Sequence, residues 1–202
     1  MRTPLTLLLL TGLSFAGAQE TLYAPAPPAG SAFVRVVTVD AGRDVTLDGR
    51  AFTPAAKAPA VSAYRVVPQG AHALRAGSST LTLNVQGGAY QTVVLRGGHL
   101  TALEAEAPAG LTRARLTLYN LSDAPATLST ADGRTALLGD VAPGAQRSLS
   151  VNAVSAALGV FGNGKAVATF PAEALHAGAS YSAFVFGHGQ DRSALWVQPT
   201  LK

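Results

Sequence analysis

The sequence predicts an all-β protein made of two tandem β-sandwich, immunoglobulin-like modules. Three observations carry that expectation. Short segments alternate apolar and polar side chains: Leu81, Leu83 and Val85 share one face of 80–85, and Ala114, Leu116 and Leu118 share one face of 113–120. Such period-two patterning marks a strand with one face on a core and the other in water. Turn residues separate these segments, and the chain carries 21 Gly and 12 Pro, both unfavourable inside helices. The same succession of strands and turns also occurs twice.

Taken in order, the chain begins with a leader. Met1-Arg2 is a short positive region, Leu5 to Phe15 is apolar, and Ala16-Gly17-Ala18 is a small-residue cleavage signal. Residues 1–18 therefore read as a signal peptide of an exported, periplasmic protein. The apolar stretch is shorter than the ~20 residues a spanning helix needs, so no transmembrane segment is expected. Residues 19–31 form a proline-rich arm. Tyr23, Pro25, Pro27 and Pro28 lie in a run that favours extended polyproline II. A pre-extended segment loses little entropy on docking, so these four residues are candidates for a protein contact.

The first module is expected over 32–107. It opens with the strand 33–38, turns at Asp48-Gly49, turns again at 75–78, and ends in the aromatic strand 90–95. The second is expected over 108–202, after the small-residue stretch Ala107-Pro108-Ala109-Gly110. It repeats the series with strand 113–118, Asp132-Gly133, Asn163-Gly164 and strand 181–186. Aligned this way, Arg35 matches Arg115, and both point outward. Asp-Gly fits a type I′ turn, which needs positive φ at both central residues. One helical turn is expected at 171–178, with Pro near its start and Gly at its end.

The composition excludes several chemistries. There is no Cys, which removes disulfides, thiolate metal sites and a Cys nucleophile. No Gly-x-Ser-x-Gly elbow or Gly-Asp-Ser motif is present. The histidines, His72, His99, His176 and His188, are far apart in sequence, so no local metal motif exists. No phosphate loop follows the paired glycines. The expectation is a protein with no catalytic residues, no metal and no cofactor. The net charge of +4 is mildly basic, and nucleic acid is not an expected partner of an exported chain.

Arginines and aromatics remain as binding candidates. Arg35, Arg113 and Arg115 stand in strands, and Arg113 and Arg115 share a face with Tyr119. Guanidinium groups bind carboxylates bidentately, which would suit an acidic sugar or a partner's carboxylate. Strand arginines also serve simply to keep sheet edges soluble. Trp196, the single Trp, is either part of a core or a sugar-stacking platform.

Several stretches resemble the AlgF family of periplasmic accessory proteins of alginate O-acetylation. They are 22–36, 118–122, 130–135, 140–144, 150–154, 159–165 and 196–199. The resemblance implies paired β-sandwich modules in the periplasm and a part in acetylating an exopolysaccharide. It implies a non-catalytic adaptor acting with a membrane O-acyltransferase and periplasmic O-acetyltransferase proteins, on alginate or a similar polymer, with an acidic polysaccharide as a further partner. Two other readings stand beside it. One is a polysaccharide-binding or cell-surface β-module without a role in acetylation, and the other is an unrecognised esterase or transferase.

Overall fold

The computed structural model describes residues 27–40, 42–55 and 57–198. The leader 1–18 and the start of the arm, with Tyr23 and Pro25, lie outside the described residues. No helix occurs among the described residues, and none is long and apolar enough to cross a membrane.

The first group of strands is β1 (Ser31–Thr38), β2 (Val45–Leu47), β3 (Arg50–Thr53), β4 (Ala60–Val61), β5 (Arg65–Pro68), β6 (Gly70–Ala76), β7 (Ser79–Val85), β8 (Tyr90–Arg96) and β9 (His99–Ala102). One sheet runs β4-β1-β8-β9, with β5 continuing the β4 edge along β1; the other runs β3-β2-β6-β7. The second group is β10 (Ala114–Asn120), β11 (Ala126–Thr130), β12 (Ala136–Val141), β13 (Gln146–Val151), β14 (Ser155–Ala156), β15 (Leu158–Gly162), β16 (Lys165–Thr169), β17 (Glu173–Ala174), β18 (Ser180–Phe186) and β19 (Ser193–Val197). Its sheets run β13-β10-β18-β19 and β12-β11-β15-β16, and β14 pairs with β17 in a short extra ladder. Strand for strand, the second group repeats the order of the first. In both, one central pair is parallel, β1 with β8 and β10 with β18, and the other pairs are antiparallel.

Each group closes over its own core. Val34, Val36, Leu74, Val93 and Leu95 belong to the first, and Leu116, Leu118, Leu128, Val160 and Ala183 to the second. Burying one such Val or Leu side chain is worth roughly 1.5–3 kcal/mol. Strands of the outer sheets alternate as expected; β6 buries His72, Leu74 and Ala76 and leaves Ala71 and Arg75 exposed. The central strands do not alternate. β1 is buried at all eight positions, and β8, β10 and β18 are nearly so. They are covered on both faces, by their own core on one side and by the other sandwich on the other. That explains the near-continuous apolar run of β1, and it corrects the expectation for 113–120, whose second face meets the other sandwich rather than water.

The contact between sandwiches is a third cluster, comprising Val37 and Val94 from the first and Tyr119, Leu121, Phe184 and Phe186 from the second. The core positions also correct the alignment of the halves. Ala32, Val34 and Val36 correspond to Ala114, Leu116 and Leu118. The counterpart of Arg35 is therefore Thr117, and that of Arg115 is Phe33. A shift of two residues preserves the face, so alternation alone leaves the two alignments equivalent.

Two local expectations differ from the structure. Asp48 and Gly49 both have positive φ, 51° and 77°, as a type I′ turn requires. In the matching hairpin only Gly133 does, at 73°. There the Asp132 carboxylate accepts from Thr130 Oγ1 at 2.6 Å and from the Arg134 N–H at 3.1 Å, building a longer Asx-type loop instead. Residues 171–178 are not helical. Glu173 and Ala174 pair with Ala156 and Ser155, because the neighbouring strand offers hydrogen bonds that an isolated turn would have to find within itself.

Candidate functional site: the junction of the two sandwiches

Arg35 stands at the centre of the junction. It projects from the face of β1 opposite the first core, where sequence alternation places it, but that face is covered and Arg35 is only 1% exposed. Its guanidinium carbon lies 4.5 Å from the ring centroid of Tyr64, 5.1 Å from that of Tyr119 and 4.7 Å from that of Phe184. Nε donates to Thr92 Oγ1 and Nη2 to Ser182 Oγ, each at 3.0 Å. No ion pair with Arg35 forms among the described residues. A buried charge without a counter-ion is costly. Here ring faces and hydroxyl oxygens replace water, a substitution that guanidinium tolerates better than the strongly hydrated ammonium of Lys.

The second sandwich supplies two of the three rings, Tyr119 and Phe184, and the first supplies Tyr64. Tyr119 and Phe184 stack at 4.4 Å with their planes 9° apart. The Tyr119 hydroxyl accepts from Thr92 Oγ1 at 3.4 Å. Burial pushes Tyr64 up to about 12 and Tyr119 well above its ordinary value; Arg35 opposes both shifts and Glu106 adds to them. Further bonds cross the junction at its rim: Arg96 donates to the Leu121 carbonyl, Gln146 Nε2 to the Glu104 carbonyl at 2.9 Å, and Ser148 Oγ to Glu106 Oε1 at 3.2 Å.

The predicted binding residues are therefore divided. Arg35 and Tyr119 are corrected from solvent-facing contacts to interior residues, because each sandwich covers the face that the other would present to solvent in isolation. Arg113 lies just ahead of β10 and is exposed; Arg115, on β10, is half-buried. Trp196 is half-buried and closes one end of the second core. Its ring lies 5.8 Å from Tyr181 and 5.4 Å from Phe170, and Nε1 donates to Glu173 Oε2 at 2.6 Å. Pro27 and Pro28 are exposed, beside an apolar hollow formed with Val66 to Gln69.

Sequence reasoning missed an Asp–His pair. His72 Nδ1 donates to Asp48 Oδ2 at 2.7 Å, and Nε2 donates to the Pro68 carbonyl at 2.8 Å. Both neighbours are acceptors, which holds the ring as the doubly protonated imidazolium. Burial by itself would lower the His72 pKa, but the bonds to Asp48 and Pro68 outweigh it and raise it. Asp48 is lowered by the His72 bond and then by the Ala73 N–H. No nitrogen is left to act as a base. The two residues are 24 apart in sequence, and only the pairing of β2 with β6 brings them together, so no local motif marks them.

Two open clefts, about 530 and 490 Å³, lie side by side at the loop end of the second sandwich, with Gly162 and Asn163 in both walls. Arg192 packs flat on Gly162, where a Cβ would strike its guanidinium. The Asp123 carboxylate accepts the Gly189 N–H at 3.0 Å, leaving it engaged in holding the loops together. Among the described residues no group of three His, Asp or Glu side chains is placed to hold a metal ion.

The family model described as alginate O-acetyl transferase AlgF matches residues 5–182. The chain belongs to the AlgF family. A curated AlgF relative, the alginate biosynthesis protein of Azotobacter vinelandii, is 30% identical over 93% of this chain and 87% of its own length. The AlgF protein of Pseudomonas putida is also 30% identical, over 95% of this chain and 92% of its own. The solved C-terminal domain of AlgF from P. aeruginosa is 31% identical, covers 43% of this chain and 98% of that domain, and superposes with a TM-score of 0.40.

Proposed function

We propose that this chain is a non-catalytic adaptor in the O-acetylation of an exopolysaccharide, alginate or a similar polymer, acting in the periplasm with a membrane O-acyltransferase and periplasmic acetyltransferases. Membership of the AlgF family, whose curated relatives are named alginate biosynthesis proteins, supports the pathway. The observation that carries the adaptor role is the junction. A buried Arg35 held by groups of both sandwiches ties the two into one unit, which suits holding other proteins in a set arrangement. The one buried imidazole, His72, has both nitrogens engaged with acceptors, which supports a structural role for it.

In this reading the leader 1–18 exports the chain, the arm 19–31 contributes a docking segment, and the modules 32–107 and 108–202 act as one platform. The test is a deletion strain. Loss of the chain leaves full-length polymer without acetyl groups, and the purified chain captures an acetyltransferase from periplasm. Normal acetylation in the deletion strain would sink the proposal. Wild-type complementation by a His72→Gln variant is expected, since the histidine does no chemistry.

A further inference from the structure

The outermost strand of a sheet turns unpaired N–H and C=O groups outward, and proteins that stay apart blunt such edges. Most edges here carry a blunting device. β3 breaks register against β2, and Arg65 donates to the carbonyls of Ala51 and Phe52. β12 and β16 are bulged. β5 ends in Pro68, and β4 is only two residues long. Arg147 of β13 reaches across to the Gly139 carbonyl of β12. β9 and β7 are tied to each other where the Leu100 N–H donates to Ser79 Oγ, and β7 turns Thr80, Thr82 and Asn84 to water.

β19 has none of these. Its run Ser-Ala-Leu-Trp-Val holds no charge and no proline, and its register with β18 is unbroken. The Leu121 N–H donates to the Val185 carbonyl, so the backbone of Val185 turns toward β10 and those of Phe184 and Phe186 turn toward β19. Their partners on β19 are Leu195 and Ser193. The backbone groups of Ala194 and Trp196 therefore point away from the sheet, and they have no hydrogen-bond partner among the described residues. Leu195 is 37% exposed, a large apolar side chain left in water on this edge. The Glu173 carboxylate fixes the strand by accepting from Trp196 Nε1 and Gln198 Nε2.

The strand is complementary to itself. Antiparallel pairing of two copies about Leu195 sets Ala194 of each opposite Trp196 of the other. These are the residues with free backbone groups, and each such pair exchanges both N–H···O bonds. A small side chain then stands beside each indole. The two Leu195 side chains meet on the two-fold axis as a non-hydrogen-bonded pair, the closer of the two spacings. The ends also match. Arg192 precedes the strand, and Gln198, bound to Glu173, follows it. Antiparallel pairing sets Arg192 of one copy beside Gln198 and Glu173 of the other, so unlike charges meet at both ends. A parallel approach sets Arg192 beside Arg192 instead.

We propose that β19 is a self-association edge, through which two copies of this chain join their β13-β10-β18-β19 sheets into one continuous sheet across a two-fold axis. The contact is short, so the dimer is weak, with a Kd on the order of 10–100 µM. The inference goes beyond the adaptor reading and does not depend on it. A two-fold pair presents every other surface of the chain twice, which raises the avidity for anything those surfaces hold.

The test uses the whole chain after the leader, 19–202, in sedimentation velocity from about 5 to about 500 µM. A shift from monomer toward dimer across that range is expected. Leu195→Lys sets two ammonium groups at the closest pair and is expected to weaken association about tenfold or more. The chain has no Cys, so Leu195→Cys reads the geometry directly, since a non-hydrogen-bonded antiparallel pair brings the Cα atoms within disulfide reach. In a glutathione redox buffer this variant is expected to cross-link into dimers well ahead of Leu149→Cys. Leu149 is equally exposed, at 37%, on β13 at the opposite edge of the same sheet. Should Leu195→Lys fail to fold, the two cysteine variants still decide. A chain that stays monomeric at about 500 µM overturns the proposal. So does association that Leu195→Lys leaves intact, and so does equal cross-linking by the two cysteine variants. Sedimentation judges this edge, whereas the deletion strain judges the adaptor role.

Discussion

The two sandwiches share one strand order yet meet each other with different chemistry. At matched positions the first offers Phe33, Arg35, Val37, Thr92, Val94 and Arg96, and the second offers Arg115, Thr117, Tyr119, Ser182, Phe184 and Phe186. Arginine on one side is answered by aromatic rings on the other. The cores, by contrast, stay alike, with aliphatic Ala, Val and Leu side chains at matching sites. A duplicated scaffold thus keeps the residues that close each sandwich, and its two faces diverge so that one copy fits the other rather than itself. That asymmetry gives a single pairing, and with it one charged centre at Arg35.

The largest expected effect tests the asymmetry directly. Phe184→Ala removes a fully buried ring that both stacks on Tyr119 and covers Arg35, and should cost about 3–5 kcal/mol in urea unfolding. The matched change in the first sandwich, Val94→Ala, should cost about half as much or less, since fewer atoms leave. Equal costs would show that the Phe184 ring adds nothing beyond what an aliphatic side chain supplies at this face. Arg35 comes next. Arg35→Ala leaves a cavity and the Ser182 hydroxyl without its donor, and about 2–4 kcal/mol should be lost. Arg35→Met fills the same space without charge and should be close to neutral, since apolar groups often replace a buried charge without loss. If both variants are equally damaging, the guanidinium itself is needed.

A smaller contrast compares matched hairpins. Gly49 and Gly133 both have positive φ, so alanine at either is strained by roughly 1–2 kcal/mol. A Cβ at Gly49 meets open space, whereas one at Gly133 comes within 3.1 Å of the Phe161 ring. Gly133→Ala should therefore lower Tm further than Gly49→Ala.

The smallest effect belongs to the first sandwich alone. His72 is raised above its ordinary 6.5 and Asp48 lowered below its ordinary 3.8. The histidine's contribution is complete below pH 6.5 and fades as pH rises through its raised value. The aspartate's is complete above pH 3.8 and is lost as pH falls through its lowered value. The stability difference between wild type and His72→Gln should peak between those limits. It should stay within about 1 kcal/mol, because Asp48 is half exposed and water screens the pair. A difference that does not vary with pH would mean that His72 acts only by packing.

Much of this was legible in the sequence. Alternation located the outer strand β7 and the central strand β10, Asp48-Gly49 forms a type I′ turn, and the repeat of turns announced the duplication. The misreadings share one origin, which is local pattern without knowledge of what lies across the sheet. Arg113, Arg115 and Tyr119 share a face by parity, but parity does not say that another sandwich covers Tyr119. Asp132-Gly133 carries the same letters as Asp48-Gly49 and folds differently, because Thr130 captures its carboxylate. The rim residues Glu104, Glu106, Gln146 and Ser148 carry no motif at all, being supplied by β13 of one sandwich and the segment that follows β9 of the other.

The sequence by itself determined the fold class, the strand succession and the lack of a local catalytic motif, since these depend on side-chain period and turn chemistry within a few residues. Only the tertiary structure decided which outward faces would meet. Once they met, water was expelled from Arg35 and Tyr119. Burial and pairing across the chain are collective properties. The same arginine is a solvated charge on one strand and a central post between two, and neighbouring residues in sequence do not distinguish the cases.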